Sequence, residues 1–270
     1  MQWVTVDSMD KQLAPVYTLL IEGQFTILSR HRHVLNLQLR NHQIVALVDS
    51  SVPQGPRQLR ILGKVPSVDE FMFSTTVPKK QFSCDLEYSL GSLNAELLDL
   101  SWHTLIEQQK QPIDLIQITT QKYLQKGISN LLEALSEQRS LHNEVKNLLG
   151  LGCGLTPSGD DFLCGLLIAL CLPQSPFHIQ REALVQAILA NKQLTNPISI
   201  VFLQEACLSQ VSYPVQLFIH NLLSASCDPT VIQKVIQLGH RSGYDLLSGL
   251  LAGFPHPITK RVHLCPYIVD

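Results

Sequence analysis

Charge is what this chain has least of: Asp, Glu, Lys and Arg make up 16% of its 270 residues, against about 25% in a typical globular chain. The 20 basic and 22 acidic residues nearly cancel, leaving a net charge of −2, so no broad field draws the chain to nucleic acid or anionic lipid. Disorder is excluded as well, because 45% of the residues are hydrophobic and offset the entropy lost on ordering the backbone. No apolar run approaches the ~20 residues of a membrane span. The longest, Phe162 to Leu172, is followed by Pro173 and Pro176 and reads as a buried helix. The N-terminus, Met1-Gln-Trp-Val-Thr-Val-Asp7, has no basic segment leading into an apolar one, so no secretion signal is expected. The seven cysteines (Cys84, Cys153, Cys164, Cys171, Cys207, Cys227 and Cys265) are odd in number, scattered and never spaced C-x-x-C. That argues against a disulfide framework or zinc ribbon and points to free thiols in a reducing cytoplasm. Neither G-x-S-x-G nor H-E-x-x-H occurs, which removes the serine hydrolases built on that elbow and the zincins.

Two textures divide the chain. In the first, Val16–Ile21, Gln24–Leu28, Val34–Leu39, Gln43–Val48 and Arg57–Leu62 are short runs rich in branched residues, several of them alternating. They predict strands, paired antiparallel in a small barrel or sandwich. From about Ser92 the period lengthens: Leu93, Leu97, Leu100 and Leu105, then Leu124, Ile128, Leu131, Leu132 and Leu135, recur near 3.6 residues. Thr195-Asn196-Pro197, Ser212-Tyr-Pro214 and Cys227-Asp228-Pro229 each put a proline in a first helical turn, where its missing N–H costs nothing. Gly239 stands where a helix begun at Pro229 ends. The expectation is an α+β protein, with a β-rich domain over residues 1–95 and a mainly helical domain over 96–270.

The most informative stretch is Leu149-Gly150-Leu151-Gly152-Cys153-Gly154-Leu155-Thr156-Pro157-Ser158-Gly159-Asp160-Asp161. Alternate glycines let a backbone turn tightly and approach a ligand, and the helix that follows offers free amides and the positive end of its dipole. That is the physical principle of an anion cradle. It is neither a Walker A loop, having no Lys-Ser/Thr end, nor a dinucleotide fingerprint, whose spacing and preceding strand are missing. A second copy lies 84 residues on: Ser158-Gly-Asp-Asp161-Phe-Leu-Cys-Gly165-Leu-Leu and Ser242-Gly-Tyr-Asp245-Leu-Leu-Ser-Gly249-Leu-Leu agree at seven of ten places. The match predicts two similar helix starts in one fold, related by an approximate two-fold.

The plainest reading of both copies is a capping box, with the Ser on the N3 amide and the Asp reaching back, and with Gly165 and Gly249 allowing close helix crossing. Capping explains neither the upstream glycines nor Asp160, since a second carboxylate in one turn adds repulsion that a cation or a donor-rich substrate would relieve. Each glycine lies seven residues after its serine, roughly 10 Å along a helix. Helices crossing there with like directions would bring both N-termini to one small ligand. That pocket would carry the amides of Gly152, Gly154, Gly159 and Gly243 and the hydroxyls of Thr156, Ser158 and Ser242. It would also hold the carboxylates of Asp160, Asp161 and Asp245, and the His240-Arg241 pair. Donors suit a carboxylate or phosphate, while carboxylates suit an amide N–H₂ or Mg²⁺; a small anionic amide satisfies both. His240 reads either as a partner of the last helix carbonyls or as a general acid/base. Thr195-Asn196-Pro-Ile-Ser199 reads as a cap, or as a segment whose Asn196 or Ser199 faces the pocket, and His31-Arg32-His33 as a solvated turn.

Gly152-Cys-Gly154-Leu-Thr156-Pro-Ser158-Gly-Asp160-Asp161, followed by Leu238-Gly239-His240-Arg-Ser242-Gly243-Tyr-Asp245, resembles the hallmark of a bacterial family of conserved domains of unknown function. Val34-Leu-Asn36-Leu, Gly55-Pro56 and Thr195-Asn196-Pro-Ile-Ser199 extend the likeness over most of the chain. Members accompany allantoin catabolism, so the resemblance implies a subunit of an oxamate carbamoyltransferase, which interconverts N-carbamoyloxamate plus phosphate with oxamate plus carbamoyl phosphate. The implied partners are an acyl-CoA-synthetase-like subunit and a second uncharacterised subunit. The site roles come from the motif's chemistry rather than from the family. Asp160, Asp161, His240 and Asp245 are the catalytic candidates, with Mg²⁺ on the three aspartates if a metal is used. Gly152, Gly154, Thr156, Ser158, Gly159, Arg241, Ser242, Gly243 and Asn196 are the binding candidates. A non-catalytic metabolite-binding or scaffolding subunit, and a carboxylase- or ligase-like enzyme acting on another short acid, are the alternatives.

Overall fold

The computed structural model describes residues 2–109 and 114–254; the expected free thiol of Cys265 and the end of the helical domain expected over 96–270 lie outside the described residues. The backbone divides into two compact units, Met1–Asp85 with Val211–Tyr213, and Leu86–Gln210 with Pro214–Asp270. Strands come first and helices follow.

The first unit contains β1 (Gln2–Val4), β2 (Ser8–Asp10), a 3₁₀ segment Lys11–Val16, α1 (Tyr17–Ile21), β3 (Phe25–Arg30), β4 (Val34–Leu39), β5 (Ile44–Val48), β6 (Gln58–Arg60), β7 (Phe71–Phe73) and β8 (Lys80–Phe82). Six strands pair in the order β3-β4-β5-β6-β2-β8, and β1 pairs with β7 separately. The antiparallel expectation holds for β3-β4-β5 and for β6-β2, but β5-β6, β2-β8 and β1-β7 run parallel. Parallel pairing usually needs a connection of a dozen or more residues; 66 and 69 residues lie between β1 and β7 and between β2 and β8, while residues 49–57 carry the chain from β5 back to the start of β6. Val16–Ile21, expected as a strand, is helical instead. Leu13, Tyr17 and Leu20 are its fully buried residues, a spacing of four and three that belongs to a helix face. Buried Asp10 starts this segment by accepting the Gln12 amide (3.1 Å) and also accepts the Arg57 amide (2.8 Å). The turn at His31–His33 is more than solvated, because His33 Nδ1 lies 2.8 Å from Asp49 Oδ2. Val211 and Tyr213 add to this unit by donating to Cys84 O (2.7 Å) and Gln54 O (2.8 Å).

The second unit holds α2 (Ala95–Glu107), α3 (Leu115–Ser136), α4 (His142–Leu148), α5 (Ser158–Leu170), α6 (Arg181–Ala190), α7 (Pro197–Cys207), α8 (Tyr213–Leu222), α9 (Thr230–Ile236) and α10 (Ser242–Ala252). Helix α5 is its centre, with every residue from Gly159 to Leu170 buried. The proline-marked starts of α7, α8 and α9 fall within two residues of expectation, and Gly239 follows α9 at φ +64°. On α2 the buried face is Leu97, Leu98, Trp102 and Leu105, while Leu100 is 37% exposed; the helix is rotated slightly from the face the leucine period suggested. No helix among the described residues is long and apolar enough to cross a membrane.

Candidate functional site

Helices α5 and α10 cross in backbone contact. A Cβ on Gly165 would lie 1.8 Å from Leu246 O, and one on Gly249 would lie 1.9 Å from Phe162 O. The helix starts are matched too, since a Cβ on Gly159 would meet Leu148 O of α4 at 2.0 Å, and one on Gly243 would meet Val235 O of α9 at 2.0 Å. The two copies of the motif are thus two helix pairs, α4-α5 and α9-α10, packed alike. This crossing joins the two N-terminal turns, and Thr156 Oγ1 sits 2.7 Å from Ser242 Oγ.

The capping-box reading does not survive. Pro157 and Arg241, not the serines, hold the cap positions, and neither helix start has a side-chain cap hydrogen bond. Ser158 and Ser242 stand one residue inside, and the hydroxyls of Ser242 and Thr156 lie beside the carboxyl of Asp161, where they favour its charged form. Asp161 and Asp245 are 6% and 1% exposed and close enough to repel each other. Burial first, and then the charge of Asp245, push the Asp161 carboxyl up to about 8, against the pull of the two hydroxyls. A carboxyl so placed is largely protonated at neutral pH, able to donate a proton as well as accept one. Its Oδ2 is buried with no hydrogen-bond partner among the described residues. Beside Asp245, Arg241 Nε lies 3.5 Å from Oδ2, and the guanidinium stacks 5.6 Å from the Tyr244 ring centroid.

Asp160 points elsewhere, as neighbours on a helix must, being about 100° apart. It is 1% exposed. Its Oδ1 accepts the Gly150 amide (2.7 Å), and its Oδ2 accepts Ser199 Oγ (2.6 Å) and Thr195 Oγ1. The repulsion expected of two adjacent carboxylates is therefore met by donors of the chain itself. Among the described residues no group of three or more His, Cys, Asp or Glu is placed to hold a metal ion.

The glycine loop takes its shape from contacts as well as from freedom. Gly150 (φ +74°) and Gly152 (φ +131°) adopt left-handed backbone, and a Cβ would lie 2.2 Å from Leu194 O or 2.5 Å from Ser158 N. Within the loop, the amides of Gly152, Cys153, Gly154, Leu155 and Thr156 have no acceptor among the described residues. Asn196 caps α7 by accepting the Ile198 and Ser199 amides (3.0 Å each) and donates Nδ2 to Leu155 O (2.8 Å). The structure thus brings Thr156, Asp161, Ser242, Asp245 and Arg241 together and puts Asp160 with Asn196 on the loop's supports. His240 is exposed, and no hydrogen bond joins it to these groups among the described residues. Thr195 carries one signal in the sequence, a β-branched hydroxyl just before an Asn-Pro helix start.

No solved structure matches this chain. Residues 148–254, which contain both helix starts, the glycine loop and the Thr195–Ser199 segment, match the family model described as oxamate carbamoyltransferase subunit AllH, the allantoin-catabolism family that the two motifs resemble.

Proposed function

We propose that this chain is a subunit of an oxamate carbamoyltransferase, and that its α5-α10 crossing supplies the acid/base group for carbamoyl transfer between oxamate nitrogen and phosphate. In the direction of N-carbamoyloxamate breakdown, a phosphate oxygen attacks the carbamoyl carbon. The C–O bond forms, the C–N bond breaks, and the oxamate nitrogen must take up a proton as it leaves. Asp161 delivers that proton, and the phosphate hydroxyl that becomes the bridging oxygen returns one to it. Repulsion from Asp245, which lies beside Arg241, helps to keep that proton on Asp161 at neutral pH. The loop amides from Gly152 to Thr156 and the hydroxyls of Thr156 and Ser242 supply donors for carboxylate or phosphate oxygens; a preorganised donor aimed at developing charge in a dry site contributes roughly 3–4 kcal/mol.

One observation carries this reading: a buried carboxyl raised to about 8, with an oxygen lacking any partner among the described residues, inside the segment that matches the family. The test is phosphate-dependent breakdown of N-carbamoyloxamate by the chain co-purified with its partner subunits. Asp161→Asn is expected to lower turnover by about 10²–10⁴-fold, the usual weight of a general acid, with the assembly intact. Full turnover in that variant overturns the catalytic role and leaves the chain a scaffold.

A further inference from the structure

Adjacent carboxylates on one helix do different work here, and the division reaches into a third element. Asp160 binds the first part of the glycine loop through the Gly150 amide (2.7 Å) and binds α7 through the hydroxyls of Ser199 (2.6 Å) and Thr195. Asn196 binds the far part of the loop at Leu155 O (2.8 Å), while its Oδ1 stays on the α7 amides. Between these two ties, Gly152 to Gly154 carry amides with no acceptor among the described residues, and a Cβ at Gly154 would meet nothing within 4 Å. The loop is fastened at its ends and open at its middle.

We propose that Asp160, Thr195, Asn196 and Ser199 are positioning residues, which hold the amides of Gly152 to Gly154 in a fixed place relative to the Asp161–Asp245 pair. The inference rests on the reading of the loop as the part that faces substrate, and it gives the start of α7 a role that capping alone does not require. A cap needs only the Asn196 oxygen. The Asn196 nitrogen, and the Thr195 and Ser199 hydroxyls turned onto Asp160, serve the loop.

Asn196→Asp separates the two functions, because it keeps the capping oxygen and removes the donor to Leu155 O. Thr195→Val removes one tie to Asp160, and Thr195→Ser restores it. Hydrogen exchange on the full chain reads the clamp without any assay of the reaction. The expected result is exchange at Gly150 and Leu151 about fivefold to tenfold faster in Asn196→Asp and Thr195→Val, the weight of one such hydrogen bond. Protection within α7 and α8 is expected to be unchanged, and the wild-type rate to return in Thr195→Ser. In the assembled enzyme the same two variants should lose kcat with an unshifted pH profile, since Asp161 keeps its surroundings. Unchanged exchange at Gly150 and Leu151 in both variants overturns the clamp, whatever the activity. Faster exchange with full carbamoyl transfer retains the clamp and overturns the reading of the loop as substrate-facing.

Discussion

Gly165 and Gly249 are reciprocal: each presses its α-carbon onto a carbonyl of the opposite helix, Leu246 O for one and Phe162 O for the other, and 84 residues separate both the glycines and those two carbonyl residues. Such reciprocity is the signature of a two-fold, here within one chain. It makes the site possible, because equivalent residues of the two helices, Asp161 and Asp245 among them, approach each other beside the dyad.

Alanine at either crossing glycine has no room, as the obstruction is backbone. Gly165→Ala and Gly249→Ala are each expected to cost about 3 kcal/mol or more, the upper range of overpacking. Gly63→Ala, where a Cβ meets nothing within 4 Å, should cost less than about 0.5 kcal/mol. Urea unfolding of the three variants checks the contrast.

Stability should fall as pH rises through the neutral range. The folded Asp161 holds its proton up to about 8, whereas the unfolded residue releases it near ~4. Between these values the native state binds more protons than the unfolded one, so its advantage is full below ~4 and is lost progressively until about 8. Asp161→Asn cannot titrate, and urea midpoints measured across that window should lose this part of their slope.

The neighbours of Asp161 should move its titration in opposite directions. Asp245 raises it by repulsion, and the hydroxyls of Thr156 and Ser242 lower it by hydrogen bonding. Asp245→Asn should therefore bring the Asp161 midpoint down from about 8, and Thr156→Val or Ser242→Ala should take it higher. Carboxyl ¹³C shifts followed against pH report this directly. If the proposed acid role holds, the alkaline limb of turnover follows the same order.

Cys153 gives a probe that alters no residue. Of the six described cysteines it is the exposed one, with Cys84, Cys164 and Cys171 buried and Cys207 and Cys227 half-buried. A maleimide should label it first, with the site read by mass. Phosphate together with oxamate, bound at the loop amides, should slow that labelling; an unchanged rate at saturating substrate for the assembled enzyme would place the anion elsewhere.

Parts of this were legible in the sequence because the signals are local. The shift from alternation to a longer period marked strands before helices. Asn196-Pro197 marked the start of α7, and the apolar run after Asp161 marked the buried helix. Where local signals competed, the sequence misled. Val16–Ile21 is rich in branched residues, yet Leu13, Tyr17 and Leu20 carry a helical face that spills across its boundary. Ser158-x-x-Asp161 has the spacing of a capping box, but Pro157 occupies the cap and the Asp161 carboxyl meets Thr156, Ser242 and Asp245 instead. Parallel pairing of β5 with β6, and of β2 with β8, leaves no mark in the composition of strands this short.

The amino-acid order by itself determined where the helix starts lie and that the motif is doubled, since both are read from the residues in order, whereas the need for glycine at position 150 is set partly by Leu194 O, which only the fold brings near. Only the tertiary structure decided which of two adjacent aspartates is tied down and which has an oxygen without a hydrogen-bond partner among the described residues. The donors that tie Asp160 down include Thr195 and Ser199, 35 and 39 positions distant along the chain, and Ser242 comes to Asp161 from the opposite helix. The charge that lifts Asp161 reaches it from Asp245 on the opposite helix. Desolvation and repulsion are properties of packing, and they exist only once α5 and α10 have crossed.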